Sequence, residues 1–114
     1  MRLTRKDILL KVKHKNKGNI KLSKAIDELI SAIENNDWET KEAVITSRPD
    51  ADQVNNEGFF IFNINIHRTL VLIEMCEDGE ATIVWAGTHD EYERMFKNSK
   101  NVINKYLRAQ GWIN

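Results

Sequence analysis

Between residues 20 and 33 the apolar positions Leu22, Ala25, Ile26, Leu29, Ile30 and Ile33 recur at spacings of three and four. That spacing predicts an amphipathic helix with one face on a core. The preceding segment TRKDILLKVKHKNKG predicts a shorter helix, with Thr4 as N-cap, Ile8, Leu9 and Val12 on its apolar side, basic residues in its last turn and Gly18 beyond it. From Trp38 to Asn56 the periodicity dissolves, and Pro49 beside Asp and Asn marks a connecting segment. GFFIFNINI, RTLVLIEMC and EATIVWAG then follow as three β-rich runs, the last two joined through the hairpin signal Asp78-Gly79. They predict an antiparallel meander.

The third run hands over to THDEYERMF, in which Thr88 as N-cap and Glu91 at the third helical position form a capping box. The tail SKNVINKYLRAQGWIN places Val102, Ile103, Tyr106 and Leu107 at helical spacing, with Gly111 as a stop and Trp112 and Ile113 as a candidate anchor. Helices before and after a small antiparallel sheet define an α+β arrangement, with the helices expected on one side and the other face or an edge left for function. At 114 residues one domain, 1–114, is expected.

Charged residues at 30% and hydrophobic ones at 41% fit a globular chain with no tract long enough to cross a bilayer and no secretory signal at Met1, so a cytoplasmic location without a membrane partner is expected. The single cysteine, Cys76, lies in an apolar run and reads as a small buried hydrophobe without a disulfide partner. Net charge is zero, yet it is unevenly spread. Residues 1–24 carry a net +8, residues 25–93 a net −13, and residues 94–114 a net +5. Clustered cations keep a local field even when the total cancels, which points to nucleic acid or an acidic partner; the plainer reading is a pair of solvated helix faces.

The candidate chemistry narrows quickly. His14, His67 and His89 are scattered and Cys76 stands alone, so no metal or cofactor is expected; the five glycines make no phosphate-cradling loop, and no Ser or Cys reads as a nucleophile beside a base. What remains is His67 and Arg68 at the start of the second strand, and His89 and Tyr92 just after the third. In a meander these chain positions lie at the same end of the sheet. The set suits metal-free RNA cleavage: His and Tyr transfer protons while a ribose 2′-hydroxyl attacks its own phosphate, and Arg offers forked donors to the charge that develops. The plainer reading is a strand-end Arg paired to a carboxylate and a solvated His89.

The chain also resembles the HigB-type branch of the RelE-like toxins, the mRNA interferases of type II toxin–antitoxin systems. The resemblance runs over MRLTRKDIL, KVKHK, NDW, RPDAD, FFIFNI, HRTLVLI and GTHDEYERM in order, covering most of residues 1–96, and the last three are its most specific parts. It implies a small antiparallel twisted sheet with two N-terminal helices and a C-terminal helix, and cleavage of mRNA in the ribosomal A site until a cognate helix-turn-helix antitoxin of the HigA type covers the toxin. It implicates Arg68, His89 and Tyr92, with Lys13 and His14 as further basic contributors. The sequence departs from the family pattern in three places: the hairpin FNINIHR is one residue shorter, His67 stands where an aromatic is more usual, and the tail after Phe96 is longer.

Phosphate contacts of the sequence-independent kind are expected from Lys11, Lys13, His14, Lys15 and Lys17 on the first helix and from Arg94 and Lys97 further on. Two other functions share the same features: a non-catalytic RelE-like protein that grips RNA or a partner without cutting, and a co-regulator of a helix-turn-helix repressor.

Overall fold

The computed structural model describes residues 1–114 as an α+β fold with a five-stranded mixed sheet. In chain order the elements are β1 (Arg2–Thr4), α1 (Lys6–Lys15), α2 (Ile20–Glu34), α3 (Lys41–Ser47), β2 (Asp52–Gln53), β3 (Phe59–Ile64), β4 (His67–Ile73), β5 (Glu80–Thr88), α4 (His89–Phe96) and α5 (Lys100–Ala109). Strands β3, β4 and β5 form the expected antiparallel meander. Their order in the sheet is β1-β5-β4-β3-β2.

Two strands extend the sheet beyond expectation. β1 runs parallel to β5, so the sheet is mixed. Thr4 is therefore a strand residue whose hydroxyl lies 2.7 Å from that of Thr82, and α1 starts one residue later from Arg5, a left-handed residue at φ 59° with no side-chain cap. The connector after Trp38 is also less irregular than its composition implies. Thr40 caps the seven-residue α3 by accepting from the Ala43 N–H at 3.1 Å, and β2 adds to the edge of β3. Such short elements bury too little to show a period; α3 buries Val44 alone.

The helices cover both faces of the sheet, not one. Four consecutive residues of β3, Phe59 to Phe62, are buried, and neighbours on a strand point to opposite faces. Phe60, Phe62, Val71, Ile73 and Ile83 pack beneath α1 and α2, with Ile26, Leu29 and Ile33 as the stripe read from the spacing of α2. Phe59, Ile61 and Leu70 pack on the opposite side against Tyr92 and Phe96 of α4 and Ile103 and Leu107 of α5. The tail helix is thus part of a core, and Trp112 reaches back to meet the Phe59 ring edge-on at 6.3 Å.

β5 contains a bulge. Leu70 of β4 faces Trp85 while Val71 faces Ile83, which leaves Val84 as an extra residue. Val84 and Trp85 consequently both join the α4–α5 side. Cys76, expected inside a strand, lies exposed in the β4–β5 connection, because β4 ends at Ile73.

At the other edge, the RPDAD segment closes β3 beyond the reach of β2. Arg48 and Asp50 pair through two contacts of 2.8 Å; Arg48 donates to the Asn63 carbonyl at 3.0 Å, and the Asn63 N–H donates to Asp50 at 2.9 Å. The pair stands in for a missing strand. Burial alone would raise the Asp50 pKa, but the bonds from Arg48 and Asn63 outweigh it and hold the carboxyl below its ordinary value. A folded pKa below the unfolded one contributes stability that is present above the unfolded value of about 4 and lost as pH falls through the folded value. Asp50→Asn is expected to cost about 2 kcal/mol at neutral pH. Urea unfolding at pH 7 and pH 3 checks this: the gap between wild type and variant should close in acid.

Candidate functional site

With both faces covered, the polar candidates gather at the end of the sheet where β4 starts and β5 runs into α4. Two-residue pairing there is regular: His67 faces Thr88, and Arg68 faces Gly87. The turn before β4 is Asn65-Ile66, with Asn65 in the left-handed region at φ 61°. Behind Gly87, Thr88 accepts the Glu91 N–H at 3.0 Å and Glu91 accepts the Thr88 N–H at 2.9 Å, which is the capping box expected from the sequence. Strand and helix are joined without a loop.

Strand alternation separates the four candidates. Arg68 shares its phase with Leu70 and Leu72 and faces the α4–α5 side, whereas His67 shares its phase with Val71 and Ile73 and faces the α1–α2 side. Their side chains leave β4 on opposite faces of the sheet.

On the α4–α5 side, Tyr92 is 4% exposed, its ring set against Trp85 at 6.3 Å and Phe96 at 5.6 Å between centroids. Burial pushes its phenol above the ordinary value; Asp52 and Glu93 push the same way, and the Arg68 guanidinium, close enough to act on it, pulls back. The hydroxyl is protonated at neutral pH and so is a proton donor there. Arg68 is half-buried and spends one N–H on the carbonyl of His67 at 3.1 Å, leaving the rest of its fork free. His89 lies on the same helix face as Tyr92, three residues earlier, exposed and with its Nε2 3.6 Å from the Glu93 carboxylate. Arg68, Tyr92 and His89 thus form one side of the site.

Gly87 is explained by this side. A Cβ there would stand 2.7 Å and 2.9 Å from the Trp85 ring, so only glycine lets the indole lie across the strand and meet Tyr92 and Phe96.

On the α1–α2 side, His67 is 4% exposed, and neither of its ring nitrogens has a hydrogen-bond partner. Burial lowers its pKa, with Glu91 pulling in the opposite direction. It lines a cleft of about 350 Å³ with Lys15 of α1, Asn16 at the C-cap of that helix, Thr88 and Glu91. The capping bonds from Thr88 hold the Glu91 carboxyl below its ordinary value, helped by the charges of Lys15 and Arg94. Trp85 and Glu91 were not singled out as site residues from the sequence; the WAG run and the capping box flag them only as strand and cap. No three His, Cys, Asp or Glu side chains converge into a metal-holding group.

The expected phosphate contacts divide as well. Lys13 is tied to Asp27 of α2 at 2.7 Å. Lys11, His14, Lys15, Lys17, Arg94 and Lys97 are exposed, and none makes a salt bridge within 4.0 Å. Arg2 pairs with Glu80 and Lys6 with Glu34, so much of the +8 of the first segment is neutralised by the acidic middle of the chain.

An α+β fold built on a five-stranded mixed sheet agrees with the RelE-like class of proteins. A family model described as HigB_toxin, RelE-like toxic component of a toxin–antitoxin system, matches residues 22–95, and the chain belongs to that family. It is a toxin of a toxin–antitoxin system. The match spans α2 to α4 and leaves α1 and α5 outside it. No curated protein matches the chain.

Two outcomes are expected from this geometry. Gly87→Ala forces the Trp85 ring away from its neighbours and should cost about 1–3 kcal/mol, read by chemical denaturation with tryptophan fluorescence as the probe. His67 is buried neutral, so its folded pKa lies below the unfolded one and the unfolded chain binds the extra proton more readily; stability should fall as pH drops below about 6.5. His67→Phe removes two unpartnered nitrogens and should raise stability by about 1–2 kcal/mol at pH 7 and flatten that slope. Unfolding titrations at pH 5 to 8 compare the two proteins.

Proposed function

We propose that this toxin is a metal-independent endoribonuclease that cuts mRNA at the ribosomal A site, thereby blocking translation, and that a cognate helix-turn-helix antitoxin neutralises it. Family membership points to a ribonuclease in general terms. The observation that carries the finer reading is the placement of Arg68, of Tyr92 with its buried ring, and of exposed His89 on one side of the sheet end, with the Arg68 charge close enough to act on the Tyr92 phenol.

In this reading the 2′-oxygen of the RNA attacks its adjacent phosphorus and the bond from phosphorus to the 5′-oxygen breaks. His89 takes the 2′-hydroxyl proton, since an accessible imidazole is the side chain suited to that task near neutral pH. Tyr92 gives its proton to the leaving 5′-oxygen. Arg68 stabilises the charge on the phosphorane through its free forked donors. His67, on the other side of β4, takes no part in the step. Lys11, Lys15, Lys17 and His14 of the first helix region, with Arg94 and Lys97, supply phosphate contacts that weaken as salt rises. The bound ribosome orients the 2′-hydroxyl, which lets a site with few residues suffice.

Tyr92→Phe is the sharpest test because it keeps the buried ring and removes only the hydroxyl. It should reduce cleavage by about 10²–10⁴-fold while leaving thermal unfolding unchanged. Primer extension on mRNA from cells expressing wild type, Tyr92→Phe or Arg68→Ala provides the measurement. Cuts within translated codons, lost in both variants and in cells whose translation is blocked, are the expected result. Wild-type protein that arrests growth without cutting RNA would overturn the reading in favour of a binder that does not cleave.

A further inference from the structure

The register of the sheet brings one more pair of charges to the α4–α5 side. Asp52 of β2 faces Ile61 of β3, and Ile61 faces Leu70 of β4. Residues directly opposite one another across a sheet share a face, and Ile61 and Leu70 pack with Tyr92, Phe96 and Ile103. Val54, two residues beyond Asp52, belongs to the same cluster. Asp52 therefore leaves β2 on the face that carries Arg68 and Tyr92. Its carboxylate holds the ammonium of Lys100, the first residue of α5, at 3.1 Å, and both side chains are exposed. Arg68 stands two strands away and two residues nearer the end of the sheet, about 12 Å from Asp52 between Cα atoms at ordinary strand spacing and rise. Tyr92 is within reach of both. Burial raises its phenol first, then the Asp52 charge adds to the rise and the Arg68 charge opposes it.

Two carboxylates, Asp52 and Glu93, act on that phenol, and each is engaged by a basic side chain: Asp52 by Lys100, and Glu93 by His89 at 3.6 Å. A phosphate strand approaching Tyr92 would otherwise be repelled from both. The Asp52–Lys100 contact is an ion pair between exposed side chains, which contributes little to stability and exchanges readily. What it does is fix where Lys100 waits. Without the carboxylate, a flexible four-carbon stem would leave the ammonium to sweep through solvent; with it, the charge is kept over the sheet face. An RNA phosphate competes well for such a cation, because each phosphate that an ammonium neutralises releases condensed counterions, whereas a lone carboxylate holds none. Arg68 on one flank of Tyr92 and Lys100 on the other then meet successive parts of one backbone. Lys100 lies outside residues 22–95, so this contact belongs to the tail that follows the matched region.

We propose that Lys100 is a further phosphate-binding residue of the RNA site, held ready by Asp52, whose place on the ammonium the incoming phosphate takes. The proposal deepens the RNA-cleaving reading, on which it rests for the identity of the ligand. The probe is a short single-stranded 2′-O-methyl RNA oligomer of mixed sequence, whose blocked 2′-oxygen cannot attack, so that binding to the full chain is read without cleavage. Fluorescence anisotropy follows it across a range of salt concentrations. Lys100→Gln should weaken binding severalfold and take about 0.7 off the slope of log affinity against log salt, and Lys100→Arg should restore both. Asp52→Asn should act with the opposite sign, tightening binding severalfold by freeing the ammonium. In the Lys100→Gln background that gain should largely vanish, since no ammonium is left to free. A pair that only ties α5 to β2 gives a different result: the two single variants shift binding together or not at all, and the salt slope stays as in wild type. That result, a full Asp52→Asn gain in the absence of Lys100, or no binding of the oligomer by wild type at low salt overturns the proposal. Cut mapping in cells keeps its failure apart from that of the nuclease reading. Wild-type cuts together with an unaltered slope in Lys100→Gln remove Lys100 and leave the nuclease standing; absence of wild-type cuts removes the nuclease, and the oligomer titration alone decides the fate of Lys100.

Discussion

Four consecutive large apolar residues in β3, Phe59 to Phe62, oblige the sheet to be dry on both sides. Residues that alternate between faces cannot all be buried unless both faces are covered, and a 114-residue chain has to find helices for each. α1 and α2 take one face and α4 and α5 the other. Once both faces are spent on packing, polar chemistry is confined to the ends of the strands and the helix termini that meet them. The start of β4, the end of β5 and the capped start of α4 form such an end, and the candidate residues sit there.

The β4–β5 ladder then divides that end in two. His67 and Arg68 are adjacent in sequence but a strand's thickness apart in environment: one is sealed beneath α1 with Glu91 above it, the other faces Tyr92. A single covalent frame thus supports two dissimilar surroundings, one that holds a phenol protonated near a guanidinium and one that holds an imidazole neutral near a carboxylate. The rigid handover from β5 to α4 sets both, because the same short run carries Trp85, Thr88, Glu91 and Tyr92. Gly87 makes room for it.

Elements that bury a long periodic stripe were legible in the sequence. The α2 stripe, the three meander strands and the Thr88–Glu91 cap stand where spacing and capping chemistry put them. Elements of two, three and seven residues were not, since β1, β2 and α3 owe their form to neighbours that the local sequence does not name: β1 to β5, β2 to β3, α3 to the core around Val44. The covering of both faces was readable in FFIF, whose lack of alternation excludes a solvated face, but the pull of flanking helices toward one side obscured it. Arg68, His89 and Tyr92 were legible as chemistry, and the two-residue period of β4 already implied that His67 points away from them. What periodicity could not show is pairing across the fold. Lys13 reads as a free cation until Asp27, fourteen residues later, is found beside it.

The bulge at Val84 acts as a phase shifter in β5. Upstream of it, Ala81 and Ile83 keep time with the core beneath α1 and α2; downstream, Trp85 keeps time with the tyrosine side. A regular strand that threaded the same residues without the bulge would carry Trp85 under α1 and turn Thr88, with the helix it caps, toward the other face. One inserted residue therefore decouples the rhythm of the interior from that of the working end, so that each can drift in sequence without dragging the other across the sheet.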